Sequence, residues 1–281
     1  MPDIQHFSYH THTNFSDGRN SLEELIDHAK EIGLTELGIS DHLIVHKDMK
    51  QSRSQASLQK YYAPYIYNDS FKEILPKFQK HCDEIHQLGR RKNIRLLVGF
   101  EVDFFTYDGW LEEFKEFISQ LDYDYLLTGN HFLFDEKGED LFNIDDLKKI
   151  YPDSSCYGDF IVRHFATLKQ AVLSRMFNFL AHIDYIRRLG DDVCGQDMFV
   201  AQKTEVLKTL AATDTGIEVS TKGLRKDGYT YPYGWMLQEI ANLGIKVVLS
   251  DDAHRVNELA DHFADAEKML EQYKISHRLH I

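Results

Sequence analysis

The sequence predicts an α/β protein built as a closed or nearly closed parallel barrel, and three observations carry that expectation. Short apolar runs alternate with helix-period segments along almost the whole chain, the pattern of repeated β-α units. Seven such units can be counted, a number that favours a barrel over an open sheet. The 281 residues match a length at which barrels commonly form one domain. Residues 1–281 are therefore read as a single domain.

The units follow in order. A first strand is expected at Phe7–His10. Ser21 then stands three residues before Glu24, the capping-box spacing, and Leu25 and Ile26 begin a helix that Gly33 can stop. The second strand is Glu36–Ser40 and the third Leu96–Val102, with a helix over Phe71–Arg91 between them. A helix over Trp110–Gln120 leads to a fourth strand at Tyr125–Gly129, and one over Asp159–Met176 leads to a fifth at Phe179–His182. Helices over Met198–Thr213 and Trp235–Asn242 flank a sixth strand at Ile217–Val219. The seventh strand, Lys246–Ser250, is followed by a helix over Glu258–Gln272. One stretch breaks the rhythm. Residues 46–69 are polar and then carry Tyr61, Tyr62, Tyr65 and Tyr67, which reads as a loop insertion near the active face, either a lid or a solvated excursion.

Composition narrows the function. Hydrophobic residues make up 43% and charged residues 27%, ordinary for a globular protein. With 32 Lys+Arg against 45 Asp+Glu the net charge is −13, which disfavours a protein that grips nucleic acid by its phosphates. No run of eighteen apolar residues is present, so no membrane span is expected. Met1–His6 is short and polar, without the pattern of a secretory leader. Cys82, Cys156 and Cys194 are widely spaced and odd in number, which reads as reduced thiols in a cytoplasmic protein.

The 15 histidines are informative because of where they fall. Strand ends carry His10 and His12, then Asp41-His42, Glu101, His131, His182 with Asp184, and Asp251-Asp252 with His254; Asp17 lies five residues beyond His12. In a parallel barrel all these C-terminal ends meet on one face. Residues i and i+2 of an extended segment point the same way, so His10 and His12 can reach one ion. Any one histidine has a bland alternative, a ring satisfied by a backbone hydrogen bond. Repeating that at six strand ends is much harder. A single catalytic zinc needs about three protein ligands, so nine candidates suit two or three divalent ions. Imidazole with carboxylate fits zinc, iron or manganese.

At these positions the chain resembles the polymerase and histidinol phosphatase (PHP) superfamily. The matching motifs are His10-Thr-His12 with Ser16-Asp17-Gly18, Ser40-Asp41-His42, Gly99-Phe-Glu101, Gly129-Asn-His131, Ala181-His182-Ile-Asp184 and Asp252-Ala-His254. They run in the same order from residue 8 to about 255. The resemblance implies a distorted seven-stranded barrel with a trinuclear site at the C-terminal ends of its strands. His10, His12, Glu101 and Asp252 look like ligands of a first ion, and Asp17, His42 and His254 like ligands of a second. Glu101, His131 and His182 look like ligands of a third, which makes Glu101 the bridging carboxylate. Asp17 falls where many relatives carry a histidine.

Within the superfamily, the length and the segments His182-Ile-Asp-Tyr-Ile-Arg187-Arg188 and Gly223-Leu-Arg225-Lys226 look like those of the histidinol-phosphate phosphatase branch. The resemblance implies hydrolysis of the small phosphomonoester L-histidinol phosphate to L-histidinol and phosphate, a step of histidine biosynthesis. Glu101, Arg187 and Arg225 are expected to carry catalysis, and Arg187 and Arg225 to grip the substrate phosphate, with Arg188 as a neighbour able to replace Arg187. Arginine suits the task because its planar fork offers two parallel donors to phosphate oxygens. Asp41, Asp184 and Asp251 are candidates for a general acid or for orienting ligand histidines.

Two other readings compete. A PHP-type nuclease, or a phosphoesterase acting on nucleotides or other small molecules, would use the 61–67 tyrosines to stack on bases. A non-catalytic metal-stabilised interaction domain would tolerate lost ligands, whereas every ligand position here is filled.

Overall fold

The computed structural model describes residues 5–56, 58, 66–135 and 140–281. Its frame is a parallel sheet in the order β1 (Phe7–Ser8), β2 (Glu36–Ile39), β5 (Arg95–Val102), β6 (Tyr125–Thr128), β9 (Phe179–Leu180), β10 (Gly216–Ser220) and β11 (Val247–Ser250). The sheet curls until its ends nearly meet. Past β1 and β11, Thr11 bridges Ala253 in parallel, with the His12 amide donating to the Ala253 carbonyl at 2.8 Å. The seven expected strands are all present, so the barrel reading holds.

The inside of the barrel is filled from the bottom. Tyr9, Leu97, Tyr125, Leu127, Phe179, Ala181 and Val248 pack together there. The Tyr125 hydroxyl crosses to donate to the Tyr9 carbonyl at 2.8 Å. A methyl group at Gly99 would lie 2.2 Å from the Tyr125 ring, so glycine is required for that ring to enter. With apolar side chains closing the floor, the polar residues at the strand ends are confined to one mouth.

Helices cover the outside. Leu22–Glu31 carries the expected capping box: the Ser21 side chain accepts from the Glu24 amide while the Glu24 carboxylate takes the Ser21 amide. Phe71–Lys92, Trp110–Ile118, Tyr157–Leu173, Val200–Thr213 and Trp235–Leu243 lie within a few residues of their sequence bounds. The last helix differs. It begins at Phe263, not Glu258, because Ala260 and His262 adopt left-handed backbone with φ of 53° and 59°. Val256–Glu258 forms a separate 3-10 turn before them.

Short elements too brief to show a period in the sequence complete the frame. β3 (His42–Val45) continues β2 after a break at Ser40–Asp41, and both halves pair with β5. β3 in turn pairs with β4 (Tyr67–Asn68), and β7 (Phe132–Leu133) with β8 (Phe142–Asn143). Short helices occupy Leu147–Ile150, Asp191–Cys194 and Lys222–Lys226. Within 46–69, His46, Met49, Ser52, Ser54 and Leu58 are buried, so at these positions the stretch is packed and not a solvated excursion. Tyr61, Tyr62 and Tyr65 lie outside the described residues. None of the described helices is long and apolar enough to cross a membrane, and all three cysteines are free thiols.

Candidate metal centre

All nine residues singled out at the strand ends converge at the open mouth of the barrel. Glu101, on β5, is their hub. Its Oε2 lies 3.2 Å from His10 Nε2, 3.4 Å from His12 Nε2 and 3.1 Å from His42 Nδ1. Its Oε1 lies 2.8 Å from His182 Nε2 and 3.5 Å from His131 Nε2. A second carboxylate, Asp17, stands 3.6 Å from His12 Nδ1, 3.5 Å from His42 Nε2 and 3.0 Å from His254 Nε2. A third, Asp252, places Oδ1 within 3.4 Å of both His12 and His254 and 3.7 Å of His10.

Four overlapping groups of ligand atoms result: His12, Asp17, His42 and His254; His10, His182 and Asp252; His10, His12 and Glu101; His42, Glu101 and His131. The overlap differs from the three sets that the resemblance implies. His12 joins Asp17, His42 and His254, and His42 joins Glu101 and His131, while His182 also stands with His10 and Asp252. Seven of the nine are buried; Asp17 and His254 are half-buried at the rim.

The donor atoms themselves point to cations. His10 Nε2, both ring nitrogens of His12 and His42 Nδ1 are buried without a hydrogen bond. A buried polar atom left unpaired costs about 1–3 kcal/mol, and here such atoms all face shared centres lined with carboxylate. Imidazole with carboxylate is a donor set for divalent ions of the zinc, iron and manganese kind. The residues present therefore fit divalent metal.

The electrostatics are consistent with this. Burial works against the charge of Asp17, Glu101 and Asp252, yet all three are held well below the ordinary carboxylate range. His254 and His42 do so for Asp17, His10 and His131 for Glu101, and Lys222 and His10 for Asp252. His42 is pushed up to about 9 because Asp17 and Glu101 outweigh its burial. His12 is pushed down to about 4 by burial and by His254 and His42.

Local backbone serves the same convergence. His182 and Asp252 carry φ of 21° and 47°, a conformation that costs non-glycine residues of order 1 kcal/mol and gathers at functional sites. A methyl group at Gly129 would lie 2.4 Å from the His182 ring and 2.7 Å from Glu101 Oε1. Glycine there lets the ring and the carboxylate meet.

A second layer orients the ligands, and two of its members escaped the sequence reading. Glu218, on β10, takes His10 Nδ1 at 2.5 Å, the His182 amide at 2.8 Å and the Ser250 hydroxyl. Asp103 takes His131 Nδ1 and the His131 amide, each at 2.7 Å. Contacts of this kind fix which ring nitrogen faces the ion. Glu218 lies inside the sixth strand, the one that ends in no ligand, and its alternation with the apolar Ile217 and Val219 was the available signal. Asp103 directly follows Glu101-Val102 and was hidden by the strand end.

The three aspartates proposed as acid or orienter have distinct places. Asp41 ties down the loop after His12, accepting from the Thr13 amide at 2.8 Å, from the Ser16 hydroxyl and from His81 Nε2 at 2.9 Å. Asp251 accepts from the Ser8 hydroxyl and from the Ala253 and Ala260 amides. Neither orients a ligand ring directly. Asp184 is fully buried, both its oxygens lack a hydrogen bond, and burial pushes it up to about 6.

Six of the nine, Asp17, His42, Glu101, His131, Asp252 and His254, line a cavity of about 480 Å3. Lys222, Arg225 and Lys226 line one side, and Arg188 with Tyr185 another. Lys222 Nζ meets Asp252 Oδ2 at 2.6 Å, and Arg225 donates to the Asp251 carbonyl at 2.6 Å. Arg187 is the exception among the expected residues. It is buried away from the cavity lining, 4.3 Å from the Tyr229 ring and 4.2 Å from the Tyr233 ring, with Asp191 at 2.8 Å. The 3-10 turn Tyr185–Leu189 points neighbouring side chains in different directions, so Arg188 stands at the cavity in its place.

Comparison with known proteins agrees with this geometry. The PHP domain profile matches residues 8–222. A Deinococcus radiodurans protein named "Probable histidinol-phosphatase" is 26% identical over 198 residues, 70% of this chain and 71% of that one. A solved Listeria monocytogenes structure superposes with a TM-score of 0.75 at 20% identity, covering 92% of this chain and 99% of that one. The histidinol phosphate phosphatase of Lactococcus lactis, solved with zinc, L-histidinol and phosphate, gives 0.68 at 17%, covering 96% and 94%. From motif order, barrel and profile together, the chain belongs to the PHP domain family.

Proposed function

We propose that the protein is a metal-dependent phosphomonoesterase that hydrolyses L-histidinol phosphate to L-histidinol and phosphate. The observation that carries the chemistry is the set of five imidazoles around Glu101 at a cavity also lined by the cations Lys222, Arg225 and Arg188. The substrate is supported by the relatives: the Lactococcus lactis protein holds L-histidinol and phosphate, and the Deinococcus radiodurans protein carries the corresponding name.

On this reading His10, His12, Asp17, His42, Glu101, His131, His182, Asp252 and His254 would hold two or three ions of zinc, iron or manganese, with Glu101 as the carboxylate common to more than one ligand group. Such ions, when bound, supply Lewis-acid charge and lower the pKa of water to about 7. The chain's own residues do the rest. Glu218 and Asp103 keep His10 and His131 in a fixed tautomer. Arg225 and Arg188 line the cavity and in this role would donate to the phosphoryl oxygens as these gain charge, since pre-aimed donors favour the transition state.

The barrel from residue 1 to 281 acts as one domain in this proposal, and Tyr67 lines the cavity. The deciding experiment is phosphate release from a panel of phosphomonoesters and one phosphodiester. Histidinol phosphate should be the best substrate. Preference for the diester or for a single-stranded oligonucleotide would replace this reading with the nuclease one.

A further inference from the structure

Resting on that reading, we propose that Asp145 is the specificity residue that reads the substrate's ammonium group, so that the enzyme selects phosphomonoesters of 2-amino alcohols. Five carboxylates face the cavity: the hub Glu101, and with it Asp17, Asp252, Asp145 and Glu258. Glu101, Asp17 and Asp252 lie among the histidines. Glu258 is committed elsewhere, since its Oε2 accepts the His254 amide at 2.7 Å. Asp145 is the one that remains on the organic side of the cavity.

Its surroundings suit an exchangeable contact. Asp145 is the middle residue of the 3-10 turn Ile144–Asp146, where the Asn143 side chain accepts its amide at 2.9 Å and fixes its backbone. Its Oδ1 meets Arg188 Nε at 2.7 Å, with side-chain exposures of 50% and 34%. An ion pair so open to water contributes little, so an incoming charge can reshape it at little cost. Arg188 in turn lies 4.7 Å from the Tyr185 ring, and that ring lies 4.8 Å from both His131 and His182. The wall therefore presents a cation beside Tyr185, the ring that meets these histidines, and an anion paired with that cation. A phosphate ester of a 2-amino alcohol has the complementary order: an anion at the metal end and an ammonium a few bonds behind. A phosphate ester without the amine satisfies only the first half.

The test compares kcat/KM for histidinol phosphate with that for the same ester lacking the amine, 3-(imidazol-4-yl)propyl phosphate, on the metal-loaded enzyme. Wild type should prefer the amine by about tenfold or more, the scale of a charge-assisted hydrogen bond. In Asp145→Asn that preference should collapse towards unity, and in Asp145→Glu, which keeps the charge, part of it should return. Arg188→Ala should lower kcat/KM for both esters and leave the preference between them. A preference unchanged in Asp145→Asn overturns the assignment, because Asp145 then acts only through Arg188 or not at all. If wild type hydrolyses both esters equally well, the assignment falls while the phosphatase reading stands. Failure to hydrolyse either ester removes the phosphatase reading itself.

Discussion

Glu218 stands 2.5 Å from His10 Nδ1, and this contact between residues 208 positions apart decides which face of the imidazole is available. With Nδ1 taken by the carboxylate, Nε2 is the nitrogen turned to Glu101 and Asp252. The same Glu218 holds the amide of His182, so one side chain sets two of the nine ligands.

Glu218→Gln should therefore weaken metal binding without removing any ligand. Losing an orienting partner of this kind typically costs about 10–100-fold in metal affinity. Competition against a chromophoric chelator reads it directly. A dissociation constant equal to that of wild type would show that β10 contributes only packing.

Metal content should follow the hub. Elemental analysis should find two to three divalent ions per chain, and prolonged chelation should abolish phosphate release. Glu101→Gln removes the charge that faces five imidazoles, so it should lose more metal than His182→Ala. If the two variants retain equal metal, Glu101 is not shared between ions.

The adjacent arginines should separate cleanly. Arg225→Ala and Arg188→Ala each remove a charged donor from the cavity, and each should lower kcat/KM by about one to two powers of ten. Arg225→Lys keeps the charge but loses the fork, so it should regain only part. Arg187→Ala instead breaks the contacts with Tyr229, Tyr233 and Asp191 and should register chiefly as a lower thermal midpoint. A kcat/KM loss in Arg187→Ala as large as that in Arg188→Ala, at equal stability, would restore Arg187 to the phosphate.

Acid sensitivity should come partly from a histidine outside the ligand set. Both ring nitrogens of His164 are buried without a hydrogen bond, and burial, aided by His131 and His182, pushes its pKa from 6.5 down to about 3. The unfolded chain then binds the extra proton between these values, so stability is full above about pH 6.5 and falls as the pH drops towards 3. Between pH 6.5 and 5 this single group accounts for about 2 kcal/mol. His164→Leu should flatten that part of the profile of thermal midpoint against pH. Parallel profiles for the variant and wild type would assign the acid loss to other groups.

Much of the protein could be read before folding it, and the reason is local. Seven strands, their order and nine prospective ligands are legible because ligands sit at strand ends, where apolar periodicity stops and an i, i+2 pair such as His10 and His12 announces itself. The capping box at Ser21 and Glu24 is legible for the same reason, since both partners lie within one turn. What the chain could not declare depends on contacts between distant segments or on irregular backbone. Glu218 and Asp103 carry no signature beyond being carboxylates; only closure of the barrel brings β10 beside His10 and His182. Arg187 and Arg188 are neighbours in a 3-10 turn with no fixed face, so sequence offers no basis for choosing between them. Tertiary packing made that choice: the Tyr229–Tyr233 pair captured one guanidinium, and the other was left at the cavity.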